Sequence, residues 1–227
     1  MTKMDFSIRW REAAKLALAI LKDHTKTQHI LALAHALNGP ALKSSYERLL
    51  TTQEGGEIAC DMPEFTDLYD KLPECPEGSV GHALLNNQKY SLETIIKYSQ
   101  RGKRNRAWIN LKHPYVWMSR RYRDTHDLFH TLTGYKMDTF GEASLTAFSY
   151  AQTGALQWGF LVLVGFVKVK LHPLKVASIL EAFYHGKKAK WILGENFETM
   201  IYEDLEECRK RLNIRKARFY EKAIKNR

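Results

Sequence analysis

ASLTAFSYAQTGALQWGFLVLVGFV, residues 143–167, carries no charged side chain across 25 positions. At 1.5 Å of rise per residue, a helix of that length could cross a bilayer. Its interior opposes that reading. Ser144, Thr146, Ser149, Gln152, Thr153 and Gln157 would stand in hydrocarbon, where each unpaired polar group costs on the order of a few kcal/mol. A central helix, apolar all round and buried by its neighbours, is the expectation. Gly154, Gly159 and Gly165 would let another helix or a ligand approach closely, so the segment reads as one wall of an apolar cavity.

Working outward, helical periods dominate and strand alternation is scarce. Trp10, Ala13, Ala14, Ala17, Ile20 and Leu21 recur at helical spacing and predict a first helix. Residues 30–37 form a second, closed by Asn38, Gly39 and Pro40. Pro114 and Pro173 sit where helices should start. Phe197, Ile201, Leu205, Cys208 and Leu212 step by four, four, three and four, which predicts one amphipathic helix. Residues 52–78, punctuated by glycines and prolines, predict a loop. The class is therefore all-α, a helical bundle with an apolar cavity. A chain of 227 residues suits one domain over 1–227, ending in a basic tail at about 213–227.

With 44% hydrophobic and 26% charged residues, composition points away from disorder and from an integral membrane class. Cys60, Cys75 and Cys208 lack CxxC spacing and read as free thiols of a reducing compartment. The first 22 residues are basic and amphipathic, but Asp5 and Glu12 and a sustained apolar face argue against a transit peptide, and no secretory signal opens the chain.

The chemistry concentrates in HDLFHTLTGYKMDTFGE, residues 126–142. Positions i, i+1 and i+4 of a helix lie at about 0, 100 and 40° around its axis, so His126, Asp127 and His130 share one face. Gly134 ends that helix, and Glu142 falls in the first turns of the next, on a chain that can return toward the three. Two imidazoles with carboxylates suit a borderline divalent ion: Zn2+ first, Fe or Mn as alternatives, Mg2+ less naturally. The competing reading makes these polar residues of an ordinary helix. The HExxH pattern of metalloproteases is not met. Neither a Ser/His/Asp grouping nor a phosphate-cradling glycine loop is present, and the remaining histidines lack ligand spacing.

HDxxH followed by eleven residues and Glu resembles the signature of the Coq4 family of ubiquinone biosynthesis proteins. RRYRDTHDLFHTLTGY, FGE with AQTGAL, LPECPEGSVGHAL and GENFETMIYEDLEECRKRLNI resemble that family's flanking segments, so the likeness covers nearly the whole chain. The resemblance implies an all-helical peripheral membrane protein, with an apolar lipid-binding cavity next to a metal site whose ligands are His126, Asp127, His130 and Glu142. It further implies oxidative decarboxylation at C1 of a polyprenylated 4-hydroxybenzoate, a metal-dependent lyase activity. The alternative is a non-catalytic prenyl-lipid-binding scaffold that presents precursors to other quinone-biosynthesis proteins. A position peripheral to the cytoplasmic membrane of a bacterium, and possible homodimers, belong to the same expectation.

The formal charge of +10 remains. From Thr94 to Arg123 there is no Asp or Glu among nine Lys and Arg, with Trp108, Tyr115, Trp117 and Tyr122 interleaved, and the run from Arg209 to Arg227 is similar with Glu221 its one acid. Such a pattern fits a solvated face, an anionic membrane surface or nucleic acid. The resemblance favours membrane and prenylated lipid, and nucleic acid is not expected. Arg120, Arg121 and Arg123 precede the motif within two turns and are candidates to hold a substrate carboxylate or phosphate.

Overall fold

A computed structural model describes residues 6–22, 27–87, 112–170 and 172–225. Among them are thirteen α-helices, a few 3-10 turns and no strand, so the expected all-α class is the observed one. In chain order the helices are α1 (Trp10–Lys22), α2 (Thr27–Leu37), α3 (Gly39–Leu49), α4 (Gln53–Asp61), α5 (Val80–Asn87), α6 (Pro114–Asp124) and α7 (His126–Thr133). Then come α8 (Thr139–Thr153), α9 (Leu156–Lys168), α10 (Pro173–Lys188), α11 (Phe197–Met200), α12 (Leu205–Arg211) and α13 (Arg218–Lys225). They group into two compact units, Met1–Ser45 with Asp138–Lys187 and Arg218–Arg227, and Tyr46–Met137 with Lys188–Ala217.

The first unit contains α8, buried along nearly its whole length through Leu145, Ala147 and Phe148. Its polar groups find partners there. The Ser144 and Ser178 hydroxyls meet at 3.0 Å, and Gln152 Nε2 donates to the Gly186 carbonyl at 2.8 Å. The single buried helix expected over 143–167 is instead two helices. Gly154 takes φ +65°, a left-handed conformation that side chains with a Cβ resist, and α8 ends there. Gln157 then opens α9 against Asn38, whose Oδ1 accepts the Gln157 N–H at 3.3 Å while its Nδ2 donates to Gln157 Oε1 at 2.9 Å. Unlike α8, α9 is amphipathic: Phe160 and Leu161 pack on the core of α1 and α2, while Leu163 is 63% and Val167 66% exposed. Among the described residues no helix is long and apolar enough to cross a membrane.

Helix α1 turns Ala13, Leu16 and Ile20 to that core and leaves Trp10, Leu18 and Leu21 exposed. The predicted apolar stripe was thus half right, because a second apolar face lies beside the buried one. Asn38 and Gly39 do not close a helix into a loop; α3 starts at once, with Pro40 in its first turn where a missing N–H costs nothing.

In the second unit, residues 52–78 are more structured than a loop. Thr52 caps α4 by accepting the Gly55 N–H at 3.1 Å, and Ile58 and Ala59 are buried. Gly55 reflects close approach, since a Cβ there would stand 2.2 Å from the Leu49 carbonyl oxygen. The amphipathic helix predicted over 197–212 is also divided. Residues 201–204 leave helical geometry to bond the segment 78–81: Val80 N–H donates to Glu203 O at 2.9 Å, Gly81 N–H to Ile201 O at 2.8 Å, and Ser79 bridges Asp204. Asp204 then restarts the helix as N-cap of α12, accepting from Glu206 and Glu207 N–H.

Candidate metal centre

The site is built on one stretch of chain, 126–142. Pro114 starts α6 behind a His113 cap, and Thr125 joins α6 to α7, its hydroxyl donating to the Arg121 carbonyl at 2.7 Å. Helix α7 places His126 and His130 one turn apart, with ring centroids at 4.8 Å and planes at 86°. Gly134 ends it at φ +78°, its N–H donating to the His130 carbonyl at 2.8 Å. Asp138 caps α8, accepting Phe140 and Gly141 N–H at 2.9 Å each, which puts Glu142 in the first turn. There a carboxylate is favoured by the helix dipole.

Across this stretch, one ligand atom each from His126, His130 and Glu142 lies within 4.8 Å of the other two. His130 is buried, and its Nδ1 lies 2.7 Å from the Tyr135 carbonyl oxygen. A carbonyl can only accept, so Nδ1 carries the proton and Nε2 is the nitrogen offered to a ligand. Two imidazoles and a carboxylate, mutually close and half-buried or buried, fit a divalent ion of the zinc, iron or manganese kind.

The trio expected on one face of α7 is not all brought together, because Asp127 falls outside this cluster. The 100° step between consecutive helical residues turns it away from His126. Its charge is felt elsewhere: burial, then Asp127 and Asp124, push the Tyr69 phenol above its ordinary range. Burial likewise raises the Asp124 carboxyl, against hydrogen bonds from Arg123.

The three candidate arginines are all engaged by the protein. Arg120 pairs with Glu64, Nε to Oε1 at 2.9 Å and Nη2 to Oε1 at 2.5 Å. Arg123 forms two bonds to Asp124 at 2.6 and 2.8 Å. Arg121, 4% exposed, donates to the carbonyls of Leu193 and Glu195 at 2.9 and 2.7 Å and stacks 3.9 Å over Phe197. Much of the basic stretch 94–123, including Trp108, lies outside the described residues. His172 serves a helix start, accepting from Lys175 and Val176 N–H.

Two contributors escaped sequence reasoning. The Tyr135 carbonyl is a backbone group and leaves no residue-type signal. Arg209, grouped by the sequence with the basic tail, instead reaches α7, donating from Nε to Leu132 O at 2.8 Å and from Nη2 to Thr131 O at 2.9 Å.

A profile of the Coq4 family, described as coenzyme Q (ubiquinone) biosynthesis protein Coq4, matches residues 4–218. The chain is 25% identical over 213 residues to the mitochondrial ubiquinone biosynthesis protein COQ4 homolog of Aedes aegypti, covering 89% of this chain and 74% of the relative. It is 27% identical over 177 residues to the mitochondrial COQ4 of Yarrowia lipolytica, covering 74% of this chain and 64% of the relative. The crystal structure of a Nostoc punctiforme protein named for ubiquinone biosynthesis shares the fold, with TM-score 0.65 at 18% identity, over 92% of this chain and 99% of that one.

Proposed function

Because the chain belongs to the Coq4 family of ubiquinone biosynthesis proteins, we propose that it exchanges the C1 carboxyl of a polyprenylated 4-hydroxybenzoate for a hydroxyl, at a metal held by His126, His130 and Glu142. Asp127 is the fourth candidate donor, and Zn2+ is the first candidate ion, ahead of Fe or Mn. The observation that carries this reading is the convergence of two imidazoles and a carboxylate within 4.8 Å. In the overall change the bond from ring carbon to carboxyl breaks, CO2 leaves, and an oxygen atom from an external two-electron oxidant forms the new C–O bond.

When bound, the metal supplies Lewis acidity toward the substrate carboxylate or phenolate. The chain's own part is positioning. The Tyr135 carbonyl keeps the proton on His130 Nδ1 and fixes the ring. The Asp138 cap and the first turn of α8 set where the Glu142 carboxylate stands.

A lipid tail calls for apolar surface, and the exposed faces of α1 and α9 provide it, on helices that also carry exposed Arg11, Lys15, Lys22 and Lys168, with exposed Lys170 following α9. Exposed apolar side chains and cations on the same helices suit an anionic lipid surface, each basic group contributing about 1 kcal/mol near headgroups. The same observation favours a second reading, a scaffold that presents prenylated precursors to partner proteins.

Elemental analysis of the purified protein and of His130→Ala, followed by turnover of a prenylated hydroxybenzoate, separates the two. About one equivalent of transition metal, lost in the variant, with turnover supports the enzyme. Metal and lipid bound without turnover supports the scaffold. A protein that takes up no zinc, iron or manganese while folded ends the metal reading.

A further inference from the structure

Helix α7 must hold two imidazoles in register, yet it is only eight residues long and ends at a left-handed Gly134. The last carbonyls of any helix lack intrahelical partners and carry the negative end of its dipole. In α7 those of Thr131 and Leu132 are met by one guanidinium, that of Arg209, at 2.9 and 2.8 Å. The planar fork of arginine serves two neighbouring acceptors at once, which a lysine ammonium does less rigidly.

Arg209 is itself anchored. Its Nη1 bonds Glu206 Oε1 at 2.5 Å, and its own carbonyl accepts the Ile214 N–H at 2.8 Å. Helix α12, which carries it, is pinned by fully buried Cys208 and followed by fully buried Leu212. One residue beyond the clamped carbonyls come Gly134 and then Tyr135, whose carbonyl orients His130. A guanidinium that fixes the last turn of α7 therefore also fixes the point from which the Tyr135 carbonyl is presented.

We infer that Arg209 is a positioning residue of the candidate metal centre, acting through the carbonyls of Thr131 and Leu132 to keep Tyr135 bonded to His130 Nδ1–H. Its consequence for metal affinity rests on the function proposed above; its effect on the His130 ring does not. A purely structural cap would change stability and leave the imidazole alone.

The test compares Arg209→Met and Arg209→Lys with Arg211→Met, which removes the bonds of another α12 arginine to Glu195 and Glu203. In the metal-free protein, 15N chemical shifts of His130 should report a single Nδ1–H tautomer. That tautomer should become mixed in Arg209→Met, less so in Arg209→Lys, and stay pure in Arg211→Met. A Co2+ titration read by visible absorption should show affinity falling about 10- to 100-fold in Arg209→Met, the range for loss of an outer-shell partner, with Arg211→Met unchanged. A pure tautomer in both Arg209 variants overturns the inference. If Arg209→Met does not fold, Arg209→Lys decides by the same shifts. A flat Co2+ titration of the unaltered protein would end the metal reading, and the tautomer result would still judge Arg209.

Discussion

In the unit that holds α1 and α9, Leu163 and Val167 stand about two-thirds exposed, whereas in the unit that holds α6 and α12 the guanidinium of Arg121 is 4% exposed. The contrast is general. Of the large apolar side chains exposed among the described residues, all but Leu50 and Tyr202 belong to the first unit. Over its described residues the second unit covers most of its apolar surface and takes charged groups inside, each with a partner: Arg120 with Glu64, Arg123 with Asp124, and Arg121 and Arg209 with backbone carbonyls. Apolar surface left in water suits association with something apolar. Buried, satisfied polar networks instead hold side chains in one geometry. On the function proposed above, the first unit would be the one to meet lipid, and the second the one to hold the two histidines still.

The largest effects should come from breaking the interior of each unit. Leu145→Ala in α8 empties a fully buried position and should cost about 2–5 kcal/mol in denaturant unfolding. Leu163→Ala on α9 should change stability by less than about 0.5 kcal/mol. Equal costs would mean that α9 is covered in solution and the contrast is false. In the second unit, Arg121→Met would strand the buried Leu193 carbonyl and the half-buried Glu195 carbonyl. At about 1–3 kcal/mol for each group left unsatisfied, a loss of about 2–4 kcal/mol is expected. A neutral result would mean that water replaces the guanidinium.

A smaller effect sharpens the comparison at the surface. Leu163→Glu should leave the melting temperature nearly unchanged and lower binding to vesicles of anionic lipid roughly tenfold, since burying one leucine side chain contributes about 1.5–3 kcal/mol. Tyr202→Glu in the second unit should leave vesicle binding as it was. If both variants bind as the unaltered protein does, the exposed face of α9 is not the lipid-facing one.

These differences mark what was readable in the sequence. The approach of His126, His130 and Glu142 to one another was legible because helix geometry and a short turn after Gly134 settle their relation locally. Asp127 shares the helical face without joining the three, since one face of a helix is wider than one cluster of ligand atoms. The break of the 197–212 helix was not legible, because it depends on backbone groups of Val80 and Gly81, far away in sequence. Gly55 misled in another way: glycine marks close approach as readily as it marks a loop, and only the neighbouring Leu49 carbonyl distinguishes the two. The split of 143–167 had its signal in Gly154, but a left-handed glycine and a packing glycine look alike in a sequence.

The smallest effect concerns the thiols, all three of which are free in the second unit. Cys60 is exposed, whereas Cys208 is fully buried, and burial, reinforced by Glu203, pushes its thiol up to about 12. A thiol reagent at pH 8 should therefore modify Cys60 alone in the native protein, and all three after denaturation. The raised value also sets a sign. The native state keeps the Cys208 proton over a range in which the unfolded thiol, ordinary at about 8.5, has lost it. Stability from this group is thus fully present below about pH 8.5 and declines as pH rises toward 12. Cys208→Ala should flatten that alkaline decline. Rapid native labelling of Cys208 would show that α12 opens readily, and an α12 that opens could not hold α7 through Arg209.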